Sequence, residues 1–387
     1  MIVDCDSHFM PKDAFDYVDG PLASRRPFLK FDPRNPDVLN DIEFPGAPAP
    51  APGTTPLPAP GSGSRYLGNA NIEARMDYYD QVGIEKHFIL PQFTGWWSYL
   101  IEPELANAMA HSLNLAVLNV VKESAGRIEG VALVALQDVP SAIAELEWAA
   151  AQGYKAAVID HTFPVREHPY GTPTATHREV WPFFQKAAEL GVPLFIHAVQ
   201  HGHRMVNLMS FQIDGLDFFS PRDAQMNMVA LITSGLLDRY PGLRFIHAEM
   251  GARPIKSTAQ RMDSLFKRAS VDYEDDEGGS AASRRVLSPK APQLVPPQVA
   301  AEKNKELPSY YFRNNFYWTI ETEEAELVDA VEFLGADRFL FATDYPHDDP
   351  GGTMKFKDVE LLAVNKKLSE DDKELMRSAN AASLFHC

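Results

Sequence analysis

A chain of 387 residues with 45% hydrophobic side chains can bury a large core, as one big domain or two medium ones. Its 36 basic against 53 acidic residues, a net charge of -17, argue against nucleic acid or an anionic membrane surface as partner, because both select clustered Lys and Arg. Two cysteines, Cys5 and Cys387, cannot build a disulfide framework, and no apolar run has the length of a membrane span or the form of a secretory leader, so a cytoplasmic protein is expected.

In chain order, Met1 to Asp6 reads as a short strand stopping at Asp6-Ser7-His8. Arg25 to Ser64 is rich in Pro and Gly and poor in periodicity, which predicts an unpacked insertion after strand 1. Helical spacing resumes at Asn71 to Val82, closes at Gly83, and leads into a strand from Ile84 to Leu90. The chain then alternates: helix Pro103 to Ser124, strand Ile128 to Leu136, helix Val139 to Gln152, strand Ala156 to Asp160, helix His177 to Leu190, strand Pro193 to Ala198. It continues with helix Arg222 to Tyr240, strand Leu243 to Ala248, helix Ala252 to Ala269, strand Asn315 to Ile320, helix Glu323 to Leu334, and an apolar strand from Phe339 into Asp344. Eight strands alternating with helices predict an α/β fold, a distorted (β/α)8 TIM barrel forming one domain over 1–387. It carries two irregular stretches, the Pro-rich insertion at 25–64 and an excursion at 273–307 before strand 7.

In such a barrel the carboxyl ends of the strands converge on one mouth. Strand 1 ends at Asp6 and His8, strand 4 at Asp160 and His161, strand 5 at His197, strand 6 at His247 and Glu249, and strand 8 at Asp344. Any one of these is more often a hydrogen-bonded structural group than a ligand, but so many placed independently at strand ends point to a metal site. Asp6, His8, His197 and Asp344 would give two imidazoles and two carboxylates, a set that suits one divalent ion, Zn first, with Mn or Fe as alternatives. His247 is expected beside the metal as a proton donor or carbonyl-polarising group, or else as a hydrogen-bonding support to the ligands. Glu249 would contact substrate or orient that histidine.

These stretches resemble the amidohydrolase superfamily, in the branch related to aminocarboxymuconate-semialdehyde decarboxylase, which also holds hydroxybenzoate decarboxylases, hydratases and hydrolases. The resemblance is carried by Asp4-Cys-Asp6-Ser-His8, Glu73-Ala-Arg75-Met76 through Gly83-Ile84, Pro193-Leu-Phe-Ile-His197 and Phe245-Ile-His247-Ala-Glu249-Met-Gly251. It continues in Pro308 to Phe316, Gly335-Ala-Asp-Arg338, Thr343-Asp344-Tyr-Pro-His347-Asp348 and Asn380 to Phe385. It implies a single divalent ion bound at Asp6, His8, His197 and Asp344, and a homodimer. Many members have His where Asp6 stands, and hydroxybenzoate decarboxylases tend to have Glu. No lysine after strand 4 offers itself as a bridge between two metals.

The expected reaction is metal-dependent, non-oxidative decarboxylation of an aromatic or unsaturated carboxylic acid, with Asp344 delivering a proton to the carbon that loses CO2. The alternative is hydrolysis of an ester, lactone, amide or C–C bond by a metal-held hydroxide, with Asp344 as its base. Arg313 would pair with a substrate carboxylate or serve a structural ion pair, and His161 and His347 would join the substrate-contacting groups. Trp96, with Trp97 and Phe93, would form an aromatic wall or pack the core.

Overall fold

The computed structural model describes residues 1–33, 35–45, 70–91, 102–160, 162–163, 172–173, 177–197, 225–269, 304–320, 322, 324–346 and 357–387. In chain order the strands are β1 (Val3–Asp4), β2 (His8–Phe9), β3 (Phe28–Asp32), β4 (Asn35–Glu43), β5 (Lys86–Pro91), β6 (Ile128–Leu133) and β7 (Ala156–Ile159). They continue with β8 (Thr162–Phe163), β9 (Thr172–Pro173), β10 (Leu194–His197), β11 (Phe245–Ala248), β12 (Phe316–Ile320) and β13 (Phe339–Phe341). The main sheet runs β1-β5-β6-β7-β10-β11-β12-β13, every pair parallel, with β2 also on β5.

The ends of this sheet meet. Cys5 N donates to Phe341 O at 2.8 Å, Asp344 N to Asp6 O at 3.0 Å and His8 N to Tyr345 O at 2.7 Å, so the first strand region closes on the last and the sheet becomes a (β/α)8 barrel. The strands are buried on both faces, and mostly apolar, because the barrel interior covers one face and the surrounding helices the other.

Helices return the chain from each strand to the next. The helix Ile72–Val82 begins where the Asn71 side chain accepts from Ala74 N and ends at left-handed Gly83, φ 75°. The helix Val139–Gln152, begun by Asp138 and ended by Gly153, occupies the range its spacing predicts. At the closed end of the barrel the C-terminal helix Asn380–Phe385 inserts Phe385, whose ring lies 4.2 Å from that of Phe88 and stacks on that of Phe195.

The fold departs from expectation in places. The first part of the insertion is an antiparallel hairpin, β3 on β4, with Leu39 buried. The alternation of Leu29-Lys-Phe-Asp32 supports a strand there, and the Pro-rich remainder at 46–69 lies outside the described residues. A helix at Pro308–Asn315, with Pro in its first turn, precedes β12, and further helices at Asp358–Val364, Glu370–Glu374 and Asn380–Phe385 follow β13. Most of the excursion at 273–307 lies outside the described residues. Among the described residues, no helix is long and apolar enough to cross a membrane.

Candidate metal centre

The ladder breaks between β1 and β2, and the residues in the break deliver Asp6 and His8 to the mouth. Ser7 faces away, its Oγ donating to Phe88 O at 2.6 Å, so its neighbours point the other way. His8 Nδ1 donates to Pro91 O at 3.3 Å, which leaves the Nε2 lone pair for the mouth. His197 arrives as the last residue of β10, and its ring meets that of His8 edge to face, 4.8 Å between centroids.

Around these imidazoles stand three carboxylates. His8 Nε2 lies 3.9 Å from Asp6 Oδ1, 3.5 Å from Glu249 Oε1 and 3.1 Å from Asp344 Oδ1. His197 Nε2 lies 3.6 Å from Asp6 Oδ1 and 3.4 Å from Glu249 Oε1. A divalent ion with bonds of roughly 2.0–2.2 Å holds neighbouring donors about 3 Å apart, so these spacings suit one ion among them. Asp6 Oδ1 is buried with no hydrogen-bond partner among the described residues, while its Oδ2 accepts from Thr319 Oγ1 at 3.3 Å.

Burial grades the cluster. The side chains of Asp6, His8 and His197 are 1%, 1% and 3% exposed, whereas Glu249 and Asp344 are 24% and 28% exposed and form its outer rim. Burial lowers the pKa of His197, but Glu249, Asp6 and Asp344 outweigh it and push it up to about 10. The protein chain by itself thus draws a positive charge into this pocket, the property a cation site requires.

Beneath the site is a second polar layer. Asp4 is fully buried and accepts from Tyr79 OH and Thr343 Oγ1, both at 2.6 Å, from Thr343 N at 3.1 Å and from Asp6 N at 3.2 Å. Arg75, also buried, donates from one terminal nitrogen to Ser7 Oγ at 3.1 Å and His8 O at 2.9 Å, among the rings of Phe9, Tyr79 and Tyr345.

The structure brings Asp6, His8, His197 and Asp344 together, with Glu249 as a fifth donor. It does not bring His247 there, which corrects its expected place beside the metal. In the β10/β11/β12 register His247 pairs with Ile196 and Trp318, one step out of phase with inward-facing His197 and Thr319, so its ring enters the helix-facing layer. There it lies 5.2 Å from the Phe316 ring and stacks on that of Trp318, with Nδ1 2.6 Å from Met250 Sδ.

Arg313 is corrected in the same way. It is exposed on the helix Pro308–Asn315, and its guanidinium donates to the carbonyls of Phe333 and Leu334 at the end of the helix Leu327–Leu334. Asp160 is buried at the end of β7. Phe93, Trp96, Trp97, His161 and His347 lie outside the described residues.

Asp4, Arg75, Thr319 and Thr343 were not singled out as site residues from sequence. The available signal was position: Asp4 and Thr343 each stand within two residues of a cluster carboxylate.

The Amidohydrolase family profile matches residues 3–387. Among curated proteins, the chain is 24% identical over 298 residues to gamma-resorcylate decarboxylase from Polaromonas sp. strain JS666, covering 72% of this chain and 77% of that one. Among solved structures, the 2,6-dihydroxybenzoate decarboxylase from Rhizobium superposes with a TM-score of 0.66 at 19% identity, covering 100% and 98% of the two chains. The 5-carboxyvanillate decarboxylase from Novosphingobium aromaticivorans, complexed with manganese and 4-hydroxy-3-methoxy-5-nitrobenzoic acid, superposes with a TM-score of 0.71 at 18% identity, covering 100% and 96%.

Proposed function

This chain belongs to the Amidohydrolase family, and from that premise we propose that it is a metal-dependent, non-oxidative decarboxylase of an aromatic carboxylic acid. The observation that carries the reading is the cluster of imidazoles and carboxylates at the barrel mouth, graded from a sealed floor to a reachable rim. Relatives that decarboxylate hydroxylated benzoates support the substrate class.

Asp6, His8, His197 and Asp344 would hold the ion. When bound, it would supply a positive charge on which a carboxylate and a neighbouring oxygen are held in one orientation. The manganese in the 5-carboxyvanillate decarboxylase makes Mn the first ion to try, ahead of the Zn favoured by donor types alone.

The remaining work falls to the chain. Asp344, on the rim, carries a proton on a carboxylate oxygen and passes it to the ring carbon as the bond to the departing carboxyl group breaks and CO2 leaves. Thr319 Oγ1 fixes Asp6, and Pro91 O fixes the tautomer of His8, so neither ligand has to reorganise during that transfer. The same reading carries a homodimer in the cytoplasm; a monomer in light scattering at micromolar concentration would remove the dimer.

The test is direct. The protein reconstituted with Mn²⁺ is offered 2,6-dihydroxybenzoate and 5-carboxyvanillate in deuterated water, and CO2 and ring deuterium are measured. The expected result is one CO2 and one ring deuterium per turnover, lost in Asp344→Asn with metal retained. Hydrolysis of aryl esters or diketones by the same preparation, with no CO2 from any aromatic acid, would sink the decarboxylase reading.

A further inference from the structure

Glu249 does not behave as a residue that merely follows a strand. β11 ends at Ala248, and Glu249 then takes the left-handed conformation, φ 55°, which residues with a side chain rarely adopt. Gly251 follows at φ 68°. The bend turns the Glu249 carboxylate back over the mouth, and its backbone N–H donates to Thr319 Oγ1 at 3.4 Å, the hydroxyl that also donates to Asp6.

The carboxylate ends close to both imidazoles at once. Its Oε1 is 3.5 Å from His8 Nε2 and 3.4 Å from His197 Nε2, nearer to each than Asp6 Oδ1, at 3.9 and 3.6 Å. If donor spacing qualifies Asp6 as a ligand, it qualifies Glu249 equally. Non-glycine backbone held in this conformation at a cluster of polar groups is a recurrent mark of functional geometry.

We propose that Glu249 Oε1 is a further metal ligand, so that this chain surrounds its divalent ion with three carboxylates and two imidazoles and releases Glu249 when an anionic substrate arrives. This rests on the metal-dependent reading above and deepens it. With Asp344 ionised, as it stands before it takes up the proton it later delivers, three carboxylates exceed the charge of a divalent ion by one, so the occupied site repels an incoming carboxylate until one ligand gives way. Glu249 and Asp344 are the rim members, and Asp344 lies nearer His8, at 3.1 Å against 3.5 Å for Glu249, which leaves Glu249 as the ligand that yields.

The experiment titrates metal-free protein with Mn²⁺, following free Mn²⁺ by electron paramagnetic resonance, for the wild type, Glu249→Gln, Glu249→Gly and Asp6→Ala. The Gly variant keeps the left-handed backbone at no steric cost, so it remains informative if the Gln variant fails to fold. A second titration gives each Mn-loaded protein a non-reacting aromatic acid, benzoate, and reads its Kd.

The expected result is one Mn²⁺ per wild-type chain, with affinity falling tenfold or more in both Glu249 variants and in Asp6→Ala, and tighter benzoate binding in the Glu249 variants. Wild-type Mn²⁺ affinity in the Glu249 variants, with Asp6→Ala weakened, overturns the ligand role and leaves the metal reading standing. Absence of binding in the wild type overturns both. Weakened Mn²⁺ binding with unchanged or looser benzoate binding overturns the release of Glu249.

Discussion

Asp344 and Asp6 are tied backbone to backbone, Asp344 N donating to Asp6 O at 3.0 Å, so the two carboxylates from opposite ends of the chain are set by one hydrogen bond across the barrel seam. Directly below, Asp4 accepts from Thr343 through both backbone and side chain, and from Tyr79. Position 4 is therefore the anchor of the seam. Asp4→Ala would leave several buried donors without acceptors, a loss of about 3 kcal/mol or more. Urea unfolding would show it, together with weakened Mn²⁺ binding; Tyr79→Phe, which removes one donor, should cost about 1 kcal/mol.

Asp4 also gives a pH signature. Burial raises its pKa to about 6 in the fold against 3.8 for an ordinary aspartate, despite the hydrogen bonds from Thr343 and Tyr79 that pull the other way. Between those values the folded chain holds a proton that the unfolded chain has released, so this group favours folding at low pH and that contribution is lost as pH rises through the window. The difference in unfolding free energy between metal-free wild type and Asp4→Asn should therefore shift against the wild type from pH 4 to pH 6. A difference independent of pH would refute the assignment.

Arg75 should prove a positioning residue for His8. Its guanidinium is buried among three aromatic rings and donates to Ser7 Oγ and His8 O. Arg75→Lys keeps the charge but loses the planar guanidinium that packs among the three rings and holds its terminal nitrogen on Ser7 and His8, so it should lose roughly 2–3 kcal/mol of stability and weaken Mn²⁺ binding. Mn²⁺ affinity equal to wild type in a folded Arg75→Lys would limit Arg75 to packing.

His247 should be dispensable for chemistry. Burial alone pushes its pKa down to about 3, so the ring is neutral at working pH, and it packs against Phe316 and Trp318 outside the cluster. His247→Phe should keep one Mn²⁺ and change kcat by less than about tenfold, whereas removal of a general acid typically costs about 10²–10⁴. A loss in that larger range with metal retained would restore His247 to the reaction.

The contrast between His247 and Glu249 shows where sequence reading stops. Side chains two apart on a strand share a face, so both residues looked equally able to reach the mouth. The left-handed backbone at Glu249 breaks that alternation, and no motif in Phe245-Ile-His-Ala-Glu-Met-Gly251 announces it except the nearby glycine. Asp6, His8, His197 and Asp344 were legible because each stands at an abrupt end of an apolar run, which a parallel barrel converts into proximity. The helix Pro308–Asn315 was missed although Pro308 marked its first turn, and Glu370–Glu374 although Ser369 and Asp372 form a capping box. Short helices of mixed polarity carry too little periodicity to stand out beside such cues.

The ring of Phe385, wedged against Phe88 and Phe195, stoppers one end of the barrel among the described residues. In the proposed reaction the acid would enter and CO2 would leave at the other end, past the carboxylates of Glu249 and Asp344. Truncating the stopper, Phe385→Ala, should cost about 3–5 kcal/mol of stability from the emptied volume, and melting temperature would report it. Traffic, on this view, is ordered at the rim by the groups that also meet the substrate.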